Sequence, residues 1–181
     1  RGPLGRRPQR AIPGAARRDD PAAHRCDRAG LDSRCPGREA RHQDNHEYDA
    51  WEALWTDDGV YWIPANGEAG DPEQEMSIIY DNRSRIALRV RQFHTGKRYS
   101  QSPRSPLRRV ISNVEVLEND GTDLVVTANA IVFEAHARGD TIWGSRNEYR
   151  LRRESGVLRM AAKKVVLTNN ERALYSMAFL I

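Results

Sequence analysis

Apolar positions recur along the chain first with a helical and then with a strand period. Ala40, Tyr48, Trp51, Leu54 and Trp55 include spacings of 3 and 4, which predicts an amphipathic helix. Thr56-Asp57-Asp58-Gly59 would end it, with Gly59 as the C-terminal stop. Val60–Ile63 reads as a short strand closed by Pro64, and residues 66–74 as a polar loop. A second helix is expected from about Met76 to His94. Its stripe is Ile79, Ile86, Val90 and Phe93, with Arg83, Arg85, Arg89 and Arg91 mostly off that face and Gly96 as its cap. Beyond a basic connection at 97–109, four strands follow at about 110–117, 123–135, 141–153 and 157–168. Asn119-Asp120-Gly121, Arg138-Gly139-Asp140 and Glu154-Ser155-Gly156 turn the chain between them. Helices followed by an antiparallel meander predict an α+β fold, a curved sheet wrapped around N-terminal helices. Its conical interior can be filled or can be a pocket. The expected core is Trp51, Leu54, Trp55, Ile86, Val90, Val114, Val116, Phe133, Trp143, Tyr149 and Val166.

Charge changes the picture only at the start. Residues 1–38 hold ten arginines against four acidic residues, whereas the rest holds 19 basic against 21 acidic. The same segment has five of the nine prolines, five of the thirteen glycines and no aromatic residue. It cannot bury enough apolar area to offset the entropy of ordering it. It reads as a disordered basic extension, from a misread start or frame, ahead of a folded domain at 39–181; a basic arm for an anionic partner is the other reading. The body's charge does not point to nucleic acid. No apolar run approaches the roughly 18 residues of a membrane span, and no signal-like segment opens the chain. A cytoplasmic protein is expected. Cys26 and Cys35 are too few for a disulfide framework.

Candidate chemistry is sparse. A Rieske centre needs close Cys/His pairs, and neither cysteine is followed by one. His42 and His46 are four apart and could share a helix face, but a third ligand is not in view, and a polar surface accounts for them. No Gly-x-Gly-x-x-Gly occurs. A pocket enzyme would need a base and a donor inside the cone. Asp57, Asp58, Tyr61, Asp81, His94 and Tyr99 could supply them. Each also has a structural reading: turn hydrogen bonds for Asp57 and Asp58, a cap or an Arg85 pair for Asp81, core for Tyr61. Pro103-x-x-Pro106 reads as a rigid connector. Arg104, Arg108 and Arg109 form a candidate subunit-contact patch, since Arg is enriched at interfaces. The apolar end from Leu174 to Ile181, with Tyr175 and Phe179, is either a partner surface or a last strand of the sheet.

Several segments resemble one family. Trp51-Glu-Ala-Leu-Trp-Thr-Asp-Asp-Gly-Val-Tyr-Trp-Ile-Pro64 is similar to the entry segment of the small β subunits of bacterial aromatic-ring-hydroxylating dioxygenases. So are Tyr80-Asp-Asn-Arg83, Leu88-Arg-Val90 and Thr95-Gly96. Pro103, Ser105, Arg108-Arg109 and Ser112-Asn113-Val114 resemble its Pro-Ser-Arg segment and Ser-Asn-Val strand. Tyr149-Arg-Leu-Arg-Arg153 and Lys163-Lys-Val-Val-Leu167 resemble its last two strands. Pro106-Leu107 depart from the family's Arg-Thr. The resemblance spans about 38–181. It implies an NTF2-like (SnoaL-like) cone and a non-redox structural subunit. It further implies an α subunit partner, commonly three of each with contacts between copies. The Rieske [2Fe–2S] cluster, Fe(II) and NAD(P)H then belong to partner components, with no catalytic or metal-binding residue in this chain. A stand-alone isomerase, dehydratase or cyclase on the same fold is the alternative.

Overall fold

The computed structural model describes residues 34–68, 70–97 and 101–181. The chain divides into two units, Arg1–Leu31 and Asp32–Ile181, and all the described residues lie in the second. Residues 1–33 of the expected 1–38 extension, with Cys26, and Tyr99 lie outside the described residues, whereas residues 34–38 open helix α1 (Arg34–Asp44) instead of being disordered.

The first helical pattern becomes two short helices, α1 (Arg34–Asp44) and α2 (Tyr48–Glu52). Pro36 stands in the first turn of α1, where a missing N–H costs nothing. The break comes at His46, whose φ of 56° no helix accepts. Its ring is held between the Tyr48 hydroxyl and the Ser105 carbonyl, each at 3.0 Å. Trp55 is buried as expected, but as the first residue of strand β1 (Trp55–Pro64).

Gly59 therefore does not stop a helix. It lies in a wide irregularity of β1 that spans Trp55 to Val60 opposite only Met160 to Ala162. A Cβ there would sit 2.9 Å from the Trp55 ring and 3.1 Å from the Thr56 carbonyl.

The second helix is also shorter than its pattern. Ser77–Asn82 is strand β2, antiparallel to β1, because Ile78, Ile79 and Tyr80 suit a half-buried sheet edge. Helix α3 (Arg83–His94) begins only after Asn82, whose side chain accepts from the Arg85 N–H at 3.1 Å. Ile86, Val90 and Phe93 face the core as their spacing requires. Ile79 sits on the strand and packs against that core from its margin.

The remaining strands are β3 (Leu107–Asn119), β4 (Asp123–His136), β5 (Gly139–Glu154) and β6 (Val157–Leu167). The sheet order is β2-β1-β6-β5-β4-β3. Every neighbouring pair is antiparallel except β1 and β6, which run parallel. The helices pack against one face of the six-stranded, unclosed sheet, giving the expected cone.

Eight of the eleven expected core residues are buried or packed against the core, and three are not. Phe133 faces outward because Val132 and Glu134 take the inner positions of β4. Val114 is exposed because β3 bulges between Ser112 and Glu115, with Asn113 at φ 49°. Val166 is displaced inward-to-outward by a register shift near Ala161 in β6. Leu158 and Met160 point inward before it; Lys163, Val165 and Leu167 do so after it. Gly59→Ala is expected to destabilise the fold by about 1–3 kcal/mol through overpacking against Trp55. Urea unfolding of the two proteins measures it; an unchanged midpoint would contradict the close approach.

Candidate functional site

The buried face of the sheet is mostly apolar, and Lys163 is its one buried lysine among the described residues. The shift in β6 turns Lys163 inward, where it is 1% exposed. Its Nζ donates to Glu39 Oε1 of α1 at 2.7 Å and to the main-chain oxygen of Ile181 at 2.9 Å. Glu39 is equally buried and also accepts from Trp51 Nε1 at 3.0 Å. The Tyr61 hydroxyl donates to the same Ile181 oxygen at 2.6 Å. The rings of Tyr61 and Tyr149 flank the ammonium at 5.8 and 5.5 Å.

A second cation closes the other side. The Arg109 guanidinium donates to Asp44 of α1 and to the main-chain oxygen of Leu180, and lies 5.7 Å from the Phe179 ring. Phe179 in turn meets Trp143 edge-on at 5.8 Å. Ala178–Ile181 therefore fill the interior, yet form neither helix nor strand. Of the two readings of this apolar end, it folds back on its own sheet, but as an irregular plug.

Burial dominates the titration of the cluster. It pulls the Lys163 ammonium down, an effect the Glu39 charge opposes. It pushes both phenols well above the ordinary range, with the Glu39 charge adding to the effect. Tyr61 and Tyr149 are thus neutral donors at physiological pH. The arrangement can grip an oxygen acceptor; it offers no carboxylate or imidazole base facing an open cavity.

The sequence-derived pocket candidates do not converge. Tyr61 is in the interior. Asp81 is buried on β2 and pairs with Arg89 at 2.6 Å, rather than with Arg85. His94 is exposed and contacts Asp49 at 2.9 Å. Asp57 and Asp58 are exposed on the β1 irregularity, where Asp58 accepts from Thr56 and Arg152. His42 and His46 part company: His42 meets Glu47, and His46 turns inward. Among the described residues, no group of three or more His, Cys, Asp or Glu is placed to hold a metal ion.

Of the subunit-contact candidates, Arg104, Arg108 and Tyr175 are exposed, with Arg104 5.4 Å from the Tyr48 ring centroid. Arg109 and Phe179 point inward instead and are engaged within the chain. The pattern of the sequence left one feature unread. Val110, Ile131, Phe133 and Ile142 share the outer face of β3, β4 and β5 and are 43–69% exposed. Register places Val110 opposite Ile131 and Phe133 opposite both Arg108 and Ile142. The signal was in Ala130-Ile-Val-Phe133, where both strand faces are apolar.

Removing one member of the Lys163–Glu39 pair leaves the other charge buried. Lys163→Met and Glu39→Gln are each expected to cost about 3–5 kcal/mol. Replacing both with Met should cost less than Lys163→Met alone, as chemical unfolding of the three variants would show. A separate prediction concerns His46, which burial holds below its ordinary pKa of 6.5. Between the folded and unfolded values the unfolded chain binds more protons, so stability is full above about 6.5 and falls as the pH drops below it. Urea midpoints from pH 7.5 to 5.5 should show that decline, and His46→Gln should flatten it.

Comparison with known proteins matches this architecture. Residues 38–171 match the family model described as the ring hydroxylating beta subunit. The small oxygenase component of the p-cumate 2,3-dioxygenase system of Pseudomonas putida is 26% identical over 65% of this chain and 66% of its own length. The toluate 1,2-dioxygenase β subunit of the same organism is 33% identical over 46% of this chain and 56% of its own. The chain thus spans less than two thirds of each. The crystal structure of the β subunit of benzoate 1,2-dioxygenase from Burkholderia mallei superposes with a TM-score of 0.66 at 25% identity, covering 80% of this chain and 92% of that one. With the model match extending over most of the folded unit, the chain belongs to the ring-hydroxylating β-subunit family.

Proposed function

We propose that this chain is the structural β subunit of a multicomponent aromatic-ring-hydroxylating dioxygenase in the cytoplasm. The observation that carries the reading is the family match across 38–171. The molecule's anatomy supports it. Its interior is filled by its own residues, while four large aliphatic and aromatic side chains stand together on its outer sheet face. A patch of that kind beside an exposed arginine suits a permanent partner. The partner is an α subunit bearing the Rieske cluster and the mononuclear iron, fed by NAD(P)H through a reductase. Three copies of each subunit assemble. The two curated relatives are named for p-cumate and toluate, both aromatic carboxylates, so this complex acts on a ring of that class. No helix among the described residues is long and apolar enough to cross a membrane.

The test is co-expression with the α subunit of the same genome. Light scattering after size-exclusion should find one hetero-oligomer, and the complex with its reductase should consume oxygen with benzoate or toluate. Phe133→Asp or Ile142→Asp should leave the β chain folded and abolish co-elution, because each places a charge on the outer patch. Separate elution of the unmodified chains would overturn the reading. So would turnover of a small substrate by the purified β chain alone.

A further inference from the structure

Three buried donors from three strands converge on the oxygens of two successive residues. Tyr61 of β1 and Lys163 of β6 hold the Ile181 oxygen at 2.6 and 2.9 Å, and Arg109 of β3 holds that of Leu180. Beside them, an aromatic ring, that of Phe179, lies against Trp143. The occupant of this cradle is no part of the sheet or helices. Residues 173–181 have no regular structure, and Tyr175 within them is 79% exposed. A segment held by side chains rather than by a ladder opens more readily than the strands around it.

We propose that the cone interior is a binding site for a small arylalkyl carboxylate, closed by the chain's own segment Ala178–Ile181. The ligand's ring takes the place of Phe179 against Trp143. Its carboxylate takes the place of the two main-chain oxygens on Tyr61, Lys163 and Arg109. Two of the three donors are cationic, which favours a carboxylate ligand over an uncharged one. Glu39 and Asp44 already balance the two cations, so the added charge makes affinity modest. The site is independent of the subunit reading, since it lies inside the fold and away from the outer patch.

The experiment uses the full chain with 3-phenylpropionate, and 3-phenylpropionamide as its uncharged counterpart. Binding is followed by tryptophan fluorescence, and opening by hydrogen exchange of residues 174–181. The acid should bind saturably and speed exchange in that segment while the strands stay protected. The amide should bind at least tenfold more weakly. Phe179→Ala should bind the acid at least fivefold more tightly, because the segment loses its ring anchor and leaves a gap the ligand's ring fills. If that variant does not fold, the acid–amide comparison on the unmodified chain decides. The proposal is overturned if no saturable response occurs up to about 10 mM, a free energy of only a few kcal/mol. Equal binding of acid and amide, or unchanged exchange of residues 174–181 at saturation, would overturn it as well.

Discussion

The pairing of Lys163 with Glu39 is the constraint around which the described unit is arranged. Two charges taken out of water cost several kcal/mol each unless they meet in good geometry and their remaining hydrogen-bonding capacity is met. The partners lie 124 residues apart, in the last strand and the first helix. Their union requires α1 to lie over the cone, β6 to carry its register shift, and Trp51 to turn its indole N–H toward the carboxylate. The remaining capacity of the ammonium draws in the main chain of Ile181. One ion pair thereby ties the first helix, the second helix, the last strand and the chain's apolar end to a common point.

The antiparallel meander was readable because alternation and turn chemistry agree there. Asn119-Asp120-Gly121 and Glu154-Ser155-Gly156 stand between strands whose observed ends lie close to the expected ones. What escaped the pattern has local causes. A positive φ at His46 breaks a helix whose apolar spacing continues across the break. Asn82 caps a helix later than the apolar stripe suggests, which releases Ser77–Asn82 to the sheet. In β4 a glutamate occupies the inner position next to an outward phenylalanine. Hydropathy alone assigns these two the other way round. Glu134 is stable inside because Ser105 and Trp143 donate to it at 2.9 and 3.0 Å. The central cluster was the least legible feature. Tyr61 was marked, but Lys163 entered only as part of the last strand, and the register shift that turns it inward leaves no mark in the apolar pattern.

Both sheet faces carry apolar and polar side chains. Within a mostly apolar core a few charged and phenolic groups are engaged with each other, and four large apolar side chains stand exposed on the outer sheet face. The chain's arginines divide the same way, with Arg109 holding the interior and Arg108 beside the exposed aliphatics, although the two are adjacent in sequence and equally basic. The strand's alternation, rather than residue type, separates the inward arginine from the exposed one.

The parallel contact between β1 and β6 has a consequence for how the chain emerges from a ribosome. The hairpins from β3 to β6 join neighbours in sequence and can form as they appear, since their loops are short. Strand β1 gains its second neighbour only after residue 160, and Tyr61 waits 120 residues for its partner. Until then Trp51, Trp55, Tyr61 and Phe93 belong to a fragment with no sheet to cover them. The first third of the folded unit is therefore its most aggregation-prone part during synthesis, although Trp51, Trp55 and Tyr61 are among the most deeply buried side chains of the finished protein.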